Sequence, residues 1–188
     1  AEMRVFKIAE QGRRGRADFV PLREAMKDAF GILQERYENQ GNVTGLPTGF
    51  HDLDEMTAGL QPSDLIILAA RPAMGKTTLA LNIAEYGALK TKKAVAVFSM
   101  EMSASQLAFR LISSIGRVNA TRLRTGQLED EDWSRVNMAI KMLSDVKVFI
   151  DDTPALSPDV LRSKARRIKR EHDLGLIVVD YLQLMQVP

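Results

Sequence analysis

The segment that constrains this chain most is Asp64 to Thr77, DLIILAARPAMGKT. Asp64 to Ala70 is a continuous apolar run of strand length, the composition of a parallel strand buried on both faces. A short loop containing glycine follows, and the next residues, Lys76 to Lys90, are helical in period, with Leu79, Ile83 and Leu89 on the inner face. A buried strand that turns at once into a helix is half of a βαβ unit. It commits the chain to a parallel sheet with helices on its faces.

The rest of the sequence repeats that rhythm. Ala94 to Met100 (AVAVFSM) reads as a second strand, and Ser103 to Ile115 as a helix opening on a serine cap. Asp130 to Leu143 is a further helix, with acidic residues in its first turn where the helix dipole favours them. Lys147 to Ile150 is a short strand, Ser157 caps a helix that has Pro158 at its first position and runs to about His172, and Leu176 to Asp180 (LIVVD) is the last strand. The expected fold class is therefore α/β, a parallel sheet flanked by helices. No internal repeat or low-complexity segment interrupts it.

The first forty-odd residues differ. GRRGR, Gly12 to Arg16, has linker composition, and NQGNVTGLPTG, Asn39 to Gly49, reads as a loop. Between them, Phe19, Leu22, Met26, Ala29, Phe30, Leu33 and Tyr37 recur at steps of three and four. Asp18 to Glu38 is thus an amphipathic helix, with Pro21 tolerated in its first turn. Its apolar stripe lies either on its own domain's core or on a neighbouring subunit.

Composition excludes several chemistries. The chain has 188 residues, room for one α/β domain and an appendage. It has no cysteine, which removes disulfides, cysteine-ligated zinc and thiol catalysis. Its two histidines, His51 and His172, lack a neighbouring ligand pattern, so a histidine-based metal site is not expected. The formal charge of +2 leaves nucleic-acid contact to a local patch. No run approaches the roughly 18 apolar residues of a membrane span, and no signal peptide is legible, so the expected location is the cytoplasm. The ends, Ala1 and Pro188, read as cuts within a longer protein.

ARPAMGKT fits the phosphate-loop pattern G-x-x-x-x-G-K-[ST] except that Ala70 stands for the first glycine. Successive backbone N–H groups must turn inward around a phosphate, which requires a residue without a Cβ, here Gly75. Lys76 can reach β/γ-phosphate oxygens as a point charge, and Thr77 offers a hydroxyl to Mg²⁺. The cofactor-binding set is Ala70, Arg71, Pro72, Ala73, Met74, Gly75, Lys76, Thr77 and Thr78. Asp180 ends the strand LIVVD, so its carboxylate leaves the sheet at the edge where such folds bind ligands, and with Thr77 it makes the expected metal pair. Glu101 leaves the sheet at the same edge after AVAVFSM. It reads either as the base that orients a water, partly desolvated by Met100 and Met102, or as an ordinary surface glutamate.

Two further features have simple readings. RSKARRIKREH, Arg162 to His172, is basic but carries a buried stripe of Leu161, Ala165 and Ile168, so its charges read first as a solvated face and second as a nucleic-acid contact. Trp133, among Glu129, Asp130, Glu131 and Asp132, reads as a staple of a helix start.

Four stretches carry a resemblance: TAGLQPSDLIILAARPAMGKTTLA (Thr57 to Ala80), FSMEM (Phe98 to Met102), RTGQL (Arg124 to Leu128) and IVVDYLQLM (Ile177 to Met185). Together they resemble the bacterial DnaB-type hexameric replicative DNA helicases, in the linker and the first part of their RecA-like motor domain. Members commonly have alanine at the place of Ala70; Met100 departs from their usual leucine without changing volume. The resemblance implies a RecA-like P-loop fold, incomplete at its C-terminus, behind an amphipathic linker helix. It divides the chain into 1–17 (end of the inter-domain linker region), 18–44 (linker helix and loop) and 45–188 (N-terminal part of the ATPase domain).

The resemblance further implies ATP and Mg²⁺ as cofactors, Lys76, Glu101 and Gln183 as catalytic residues, and Thr77 and Asp180 as metal ligands. Gln183 would sense the γ-phosphate and couple hydrolysis to DNA. The implied activity is 5'-3' translocation on single-stranded DNA by a hexameric ring. The helix of Asp18 to Glu38 would dock on the adjacent subunit, and primase and a helicase loader would be partners. In that family the DNA-binding loops and the arginine finger lie downstream of the Walker B strand, here the one ending at Asp180, so this stretch alone is expected to hydrolyse ATP poorly. A RecA-type recombinase, a regulatory ring ATPase and a non-catalytic nucleotide-binding or oligomerisation module are the competing readings.

Overall fold

The computed structural model describes residues 20–38, 43–71 and 73–186. The expectations for 1–17, Asp18, Phe19, 39–42, Pro72 and the last two residues lie outside that range. The chain divides into two units, 1–42 and 43–188.

In the first unit, helix α1 (Leu22–Glu38) forms where the three- and four-residue steps predict it. The Pro21 carbonyl accepts from the N–H groups of Glu24 and Ala25, so the proline stands at the helix entrance, where its missing donor costs nothing. Leu22, Met26, Phe30, Leu33 and Tyr37 are all exposed.

The second unit runs α2 (His51–Thr57), α3 (Lys76–Thr91), β1 (Ala94–Ser99), α4 (Ala104–Gly116), α5 (Ala120–Thr125), α6 (Asp130–Ser144), β2 (Val148–Asp151), α7 (Pro158–Glu171) and β3 (Leu174–Asp180), then a 3₁₀ turn, Leu182–Leu184. The three strands form a parallel sheet in the order β2-β1-β3, with Val97 opposite Ile150 on one side and Val178 on the other. Strand β1 is central and buried throughout. Its alternate side chains divide between two cores, as the period of two requires. Val95 and Val97 pack with Leu81 and Ala84 of α3 and Leu107 and Leu111 of α4, while Ala96 and Phe98 pack with Leu156, in the loop before α7, and Ala165 of α7. Helices therefore cover both faces, as expected for an α/β sheet.

Local chemistry sets the boundaries. Ser103 caps α4 through a reciprocal box with Gln106, and Ser157 caps α7 with Pro158 at its first position. Helix α6 starts on a box between Glu129 and Asp132, which Arg122 clamps with ion pairs to both. Trp133 stays half exposed, and the box and its arginine, not a tryptophan staple, fasten that start.

One expectation fails. Asp64 to Ala70 is not a strand in this structure: its backbone joins no ladder among the described residues, and Leu65, Ile66 and Ile67 are 84%, 54% and 67% exposed. An apolar run predicts a buried strand only if a neighbour offers hydrogen-bond partners and a covered face, and among the described residues neither is present. Among the described residues the sheet consequently has three strands instead of four. No described helix is long and apolar enough to cross a membrane.

Candidate functional site: a phosphate loop facing the end of β3

Three backbone features open the site. Gly75, the residue before α3, adopts φ +86°, and a Cβ placed there would meet nothing within 4 Å. The backbone is thus bare on the side where a phosphate would approach, in a conformation that suits glycine. Ala73 also has positive φ, and the Met74 N–H turns back to the Arg71 carbonyl. Among the described residues no side chain caps the first turn of α3, so the amides that open the helix remain available to an anion.

The side chains meet across the fold. Lys76 Nζ lies 3.1 Å from Asp180 Oδ1 and 4.1 Å from the centre of the Tyr181 ring. Thr77 Oγ1 donates to Asp180 Oδ2 at 2.6 Å. The Asp180 side chain is only 7% exposed, so its charge needs both partners. A cavity of about 10 Å³ beside it, lined by Thr77, Ser99, Val178 and Asp180 among others, is far smaller than a nucleotide. Phosphates would have to lie outside it, over the loop.

Sheet register puts the remaining candidates at the same edge. Ser99 pairs with Asp180, and the Met100 N–H donates to the Asp180 carbonyl at 2.9 Å. Ser99 Oγ bonds both the carbonyl and the N–H of Met102, which fixes the turn that carries Glu101. Glu101 itself is exposed, so the burial expected from Met100 and Met102 does not occur. Gln183 lies exposed in the 3₁₀ turn after β3. Among the described residues neither side chain bonds to Lys76, Thr77 or Asp180. Arg71, Ala73 and Met74 are exposed in the loop, and Ala70 is exposed in the unpaired run before it.

Sequence reasoning missed two participants. Arg110 of α4 donates to Thr78 Oγ1 at 2.8 Å, tying the first turn of α3 to the next helix. Its signal was position, one turn beyond the core residue Leu107. Tyr181 beneath Lys76 was also unremarked, although its place directly after Asp180 put it at the same edge.

The oxygen donors fit a hard divalent cation. A hydroxyl and a carboxylate 2.6 Å apart, without nitrogen or sulfur, suit Mg²⁺ bound jointly with phosphate. Elsewhere, His51, Asp52 and Glu55 come within 4.8 Å of one another at the start of α2, but all three are exposed side chains in water. A larger cavity of about 240 Å³ lies between α7 and the sheet, where Asp151 and Lys164 neutralise each other.

The chain has relatives among known proteins. Residues 45–188 match the family described as DnaB-like helicase C terminal domain. The chain is 45% identical over 186 residues to the replicative DNA helicase DnaC of Bacillus subtilis (strain 168), covering 99% of this chain and 40% of that protein. It is 49% identical over 194 residues to the replicative DNA helicase DnaB of Buchnera aphidicola subsp. Schizaphis graminum, covering 100% and 41%. Among solved structures it is similar to one described as an ATPase domain, with TM-score 0.81 and 33% identity over 90% of this chain and 60% of that one. It is also similar to a DnaB-like replicative helicase whose interactions with primase were described, with TM-score 0.78 and 31% identity over 98% and 44%. The chain spans about 40% of the length of the curated relatives it matches.

Proposed function

The chain belongs to the family of DnaB-like helicases, and from that membership we propose that it is the linker and first part of the motor of an ATP-driven replicative DNA helicase. The observation that carries this reading is the convergence of Lys76, Thr77 and Asp180 at one sheet edge, beside the bare backbone of Gly75.

Each residue has a task in it. Lys76 is held by Asp180 and Tyr181 and exchanges that carboxylate for the β/γ oxygens of an incoming nucleotide, charge for charge. Gly75 and the first amides of α3 receive the phosphates, with Ala70 to Met74 and Thr78 completing the loop. Thr77 and Asp180 would hold Mg²⁺, which supplies charge neutralisation on the phosphates. Glu101 swings in from its exposed turn to orient a water, and Gln183 senses the γ-phosphate from the turn after β3. Hydrolysis then drives 5'-3' movement of a hexameric ring along single-stranded DNA in the cytoplasm. Helix α1 lays its apolar stripe on the adjacent subunit, and primase and a loader are the partners.

Lys76→Ala in the full-length helicase should abolish strand displacement and nucleotide turnover. Unwinding that survives the substitution overturns the motor assignment, and strand exchange in place of displacement moves the protein to the recombinases.

A further inference from the structure

Helix α7 packs over β1 and β3 and leaves room above the outer strand, β2. Strand residues alternate between faces, so Phe149 and Asp151 turn toward α7 while Val148 and Ile150 pack into the core on the other side. Two contacts bridge the gap. Lys164 pairs with Asp151, and the His172 ring stacks on Phe149 with centroids 4.7 Å apart and planes 24° from parallel. These four residues help to line a cavity of about 240 Å³, whose apolar wall includes Ala96, Phe98 and Ile168. At about 30 Å³ per water in the liquid, the space holds roughly eight waters or one small organic molecule.

The charges of the lining select the occupant. Two cations, Lys164 and Arg167, meet two anions, Asp151 and Glu171, so with His172 neutral the cavity carries no net charge. Lys164 and Asp151 answer each other. Arg167 and Glu171 are exposed at i, i+4 on one helix, yet among the described residues neither makes an ion pair or a side-chain hydrogen bond. Their order explains this. An acid four residues ahead of a base pairs better than the reverse, and Glu131 with Arg135 in α6 does close. Arg167 ahead of Glu171 is the poorer order, and both charges stay free.

A cation and an anion that are neighbours on the helix surface thus face one cavity, beside an aromatic wall. A ligand that satisfies both carries a carboxylate and an ammonium close together and is neutral overall. A net anion would meet Asp151 and Glu171, and a net cation Lys164 and Arg167. The rest of the wall is apolar, and so is the rest of the ligand. We infer that this cavity binds a free α-amino acid with an aromatic side chain. Its carboxylate lies on the Arg167 fork, its ammonium on Glu171 and its ring against Phe149 and His172. The site is on the face of the sheet away from α3 and the phosphate loop, so it stands or falls apart from the motor reading.

The probe is L-phenylalanine, titrated into this chain and followed by ligand-observed NMR. A Kd of about 1 mM or tighter is expected, a value open to a ligand of about twelve heavy atoms. Phenylpropanoate, which lacks the ammonium, and phenethylamine, which lacks the carboxylate, should each bind at least about tenfold more weakly, the worth of one charge-assisted contact. Arg167→Gln should lose about the same factor, and with it the preference over phenethylamine. Glu171→Gln should instead lose the preference over phenylpropanoate. Arg170→Gln, on the same helix but outside the lining, should change nothing. General loosening of α7 cannot produce that crossed pattern. The site is overturned by absence of saturable binding at tens of millimolar, by equal affinity for the three compounds, or by an equal loss in Arg170→Gln. Variants that lose affinity while keeping both preferences overturn it as well. Mg²⁺-nucleotide titration of the same proteins reports on the motor reading separately, because none of the substitutions touches the loop.

Discussion

Thr77 Oγ1 donates a 2.6 Å hydrogen bond to Asp180 Oδ2 across 103 positions of sequence, joining the first turn of α3 to the end of β3. The same carboxylate holds Lys76 through its other oxygen. Asp180→Asn keeps an oxygen for Thr77 but loses the charge that answers the ammonium and would bind a metal. Folding should survive, and ATP turnover by the full-length protein should fall about 100-fold or more, the several kcal/mol that a metal-held charge supplies. Steady-state turnover across a Mg²⁺ titration checks this; a variant with wild-type rates and magnesium dependence would remove Asp180 from the site.

Gly75→Ala separates fold from function. The residue sits at φ +86°, so a Cβ strains the backbone by about 1–2 kcal/mol. That Cβ meets no atom within 4 Å and so costs no packing in the nucleotide-free chain. It instead occupies the surface a phosphate would touch. A modest drop in urea midpoint with loss of nucleotide binding is the expected pair of results; undiminished binding would place the phosphates elsewhere.

Legibility followed how local the cause was. Ser103, Ser157 and Pro158 act on their own helices, and those starts lie where the sequence puts them. The meeting of Lys76 and Thr77 with Asp180 could be read because the glycine loop and its two residues are one continuous segment and a strand's end fixes an edge. The run Leu65 to Leu68 could not be read in the same way, since a strand depends on a partner its own residues do not supply. Arg110 on Thr78 and Tyr181 under Lys76 depend on side chains brought together by the fold, and no spacing announces such contacts. The short helices α2 and α5 went unseen because one or two turns carry no periodicity to count.

Asp54 is the stability counterpart of the site residues. Buried on α2, it accepts from the Thr48 N–H and hydroxyl, both at 2.8 Å, and from the Gly49 N–H at 3.2 Å. Asp54→Ala leaves those donors unmet and should cost about 2–3 kcal/mol. Asp54→Asn, which keeps an acceptor, should cost less. Chemical denaturation of both variants gives the order, and equal losses would count against the hydrogen bonds as the cause.

The Asp151–Lys164 pair gives the chain an acid limb. Burial pulls the Asp151 carboxyl upward, but hydrogen bonds from Lys164 and Thr153, with the charge of Lys164, outweigh it and hold the group below its ordinary value. A carboxyl depressed on folding stabilises at pH above its unfolded value, about 3.9, and loses that contribution as pH falls through the folded one. Lys164→Met leaves burial without its counterweight. At pH 7 the variant should be less stable by up to about 1 kcal/mol, and the gap should narrow progressively as pH falls below the unfolded value. A gap that stays constant with pH would mean the lysine acts by packing its stem.

Glu85 predicts the opposite sign. Burial between α3 and α4 pushes its carboxyl up, only partly countered by a hydrogen bond with Ser114, and Oε2 is buried without a partner. A carboxyl raised on folding binds its proton more readily in the folded chain, so stability falls as pH rises from the unfolded value through the folded one. Above that window the ionised group is a standing cost. Glu85→Gln removes the charge while keeping the shape, and should raise stability at pH 7–8 by no more than about 1 kcal/mol, because the group is only half buried. The gain should vanish near pH 4, where the wild-type carboxyl already carries its proton. Thermal unfolding of the two proteins from pH 4 to pH 8 measures it. Parallel curves would assign the effect to the amide's hydrogen bonds, and a loss at pH 7 would show that the ionised carboxylate is being used.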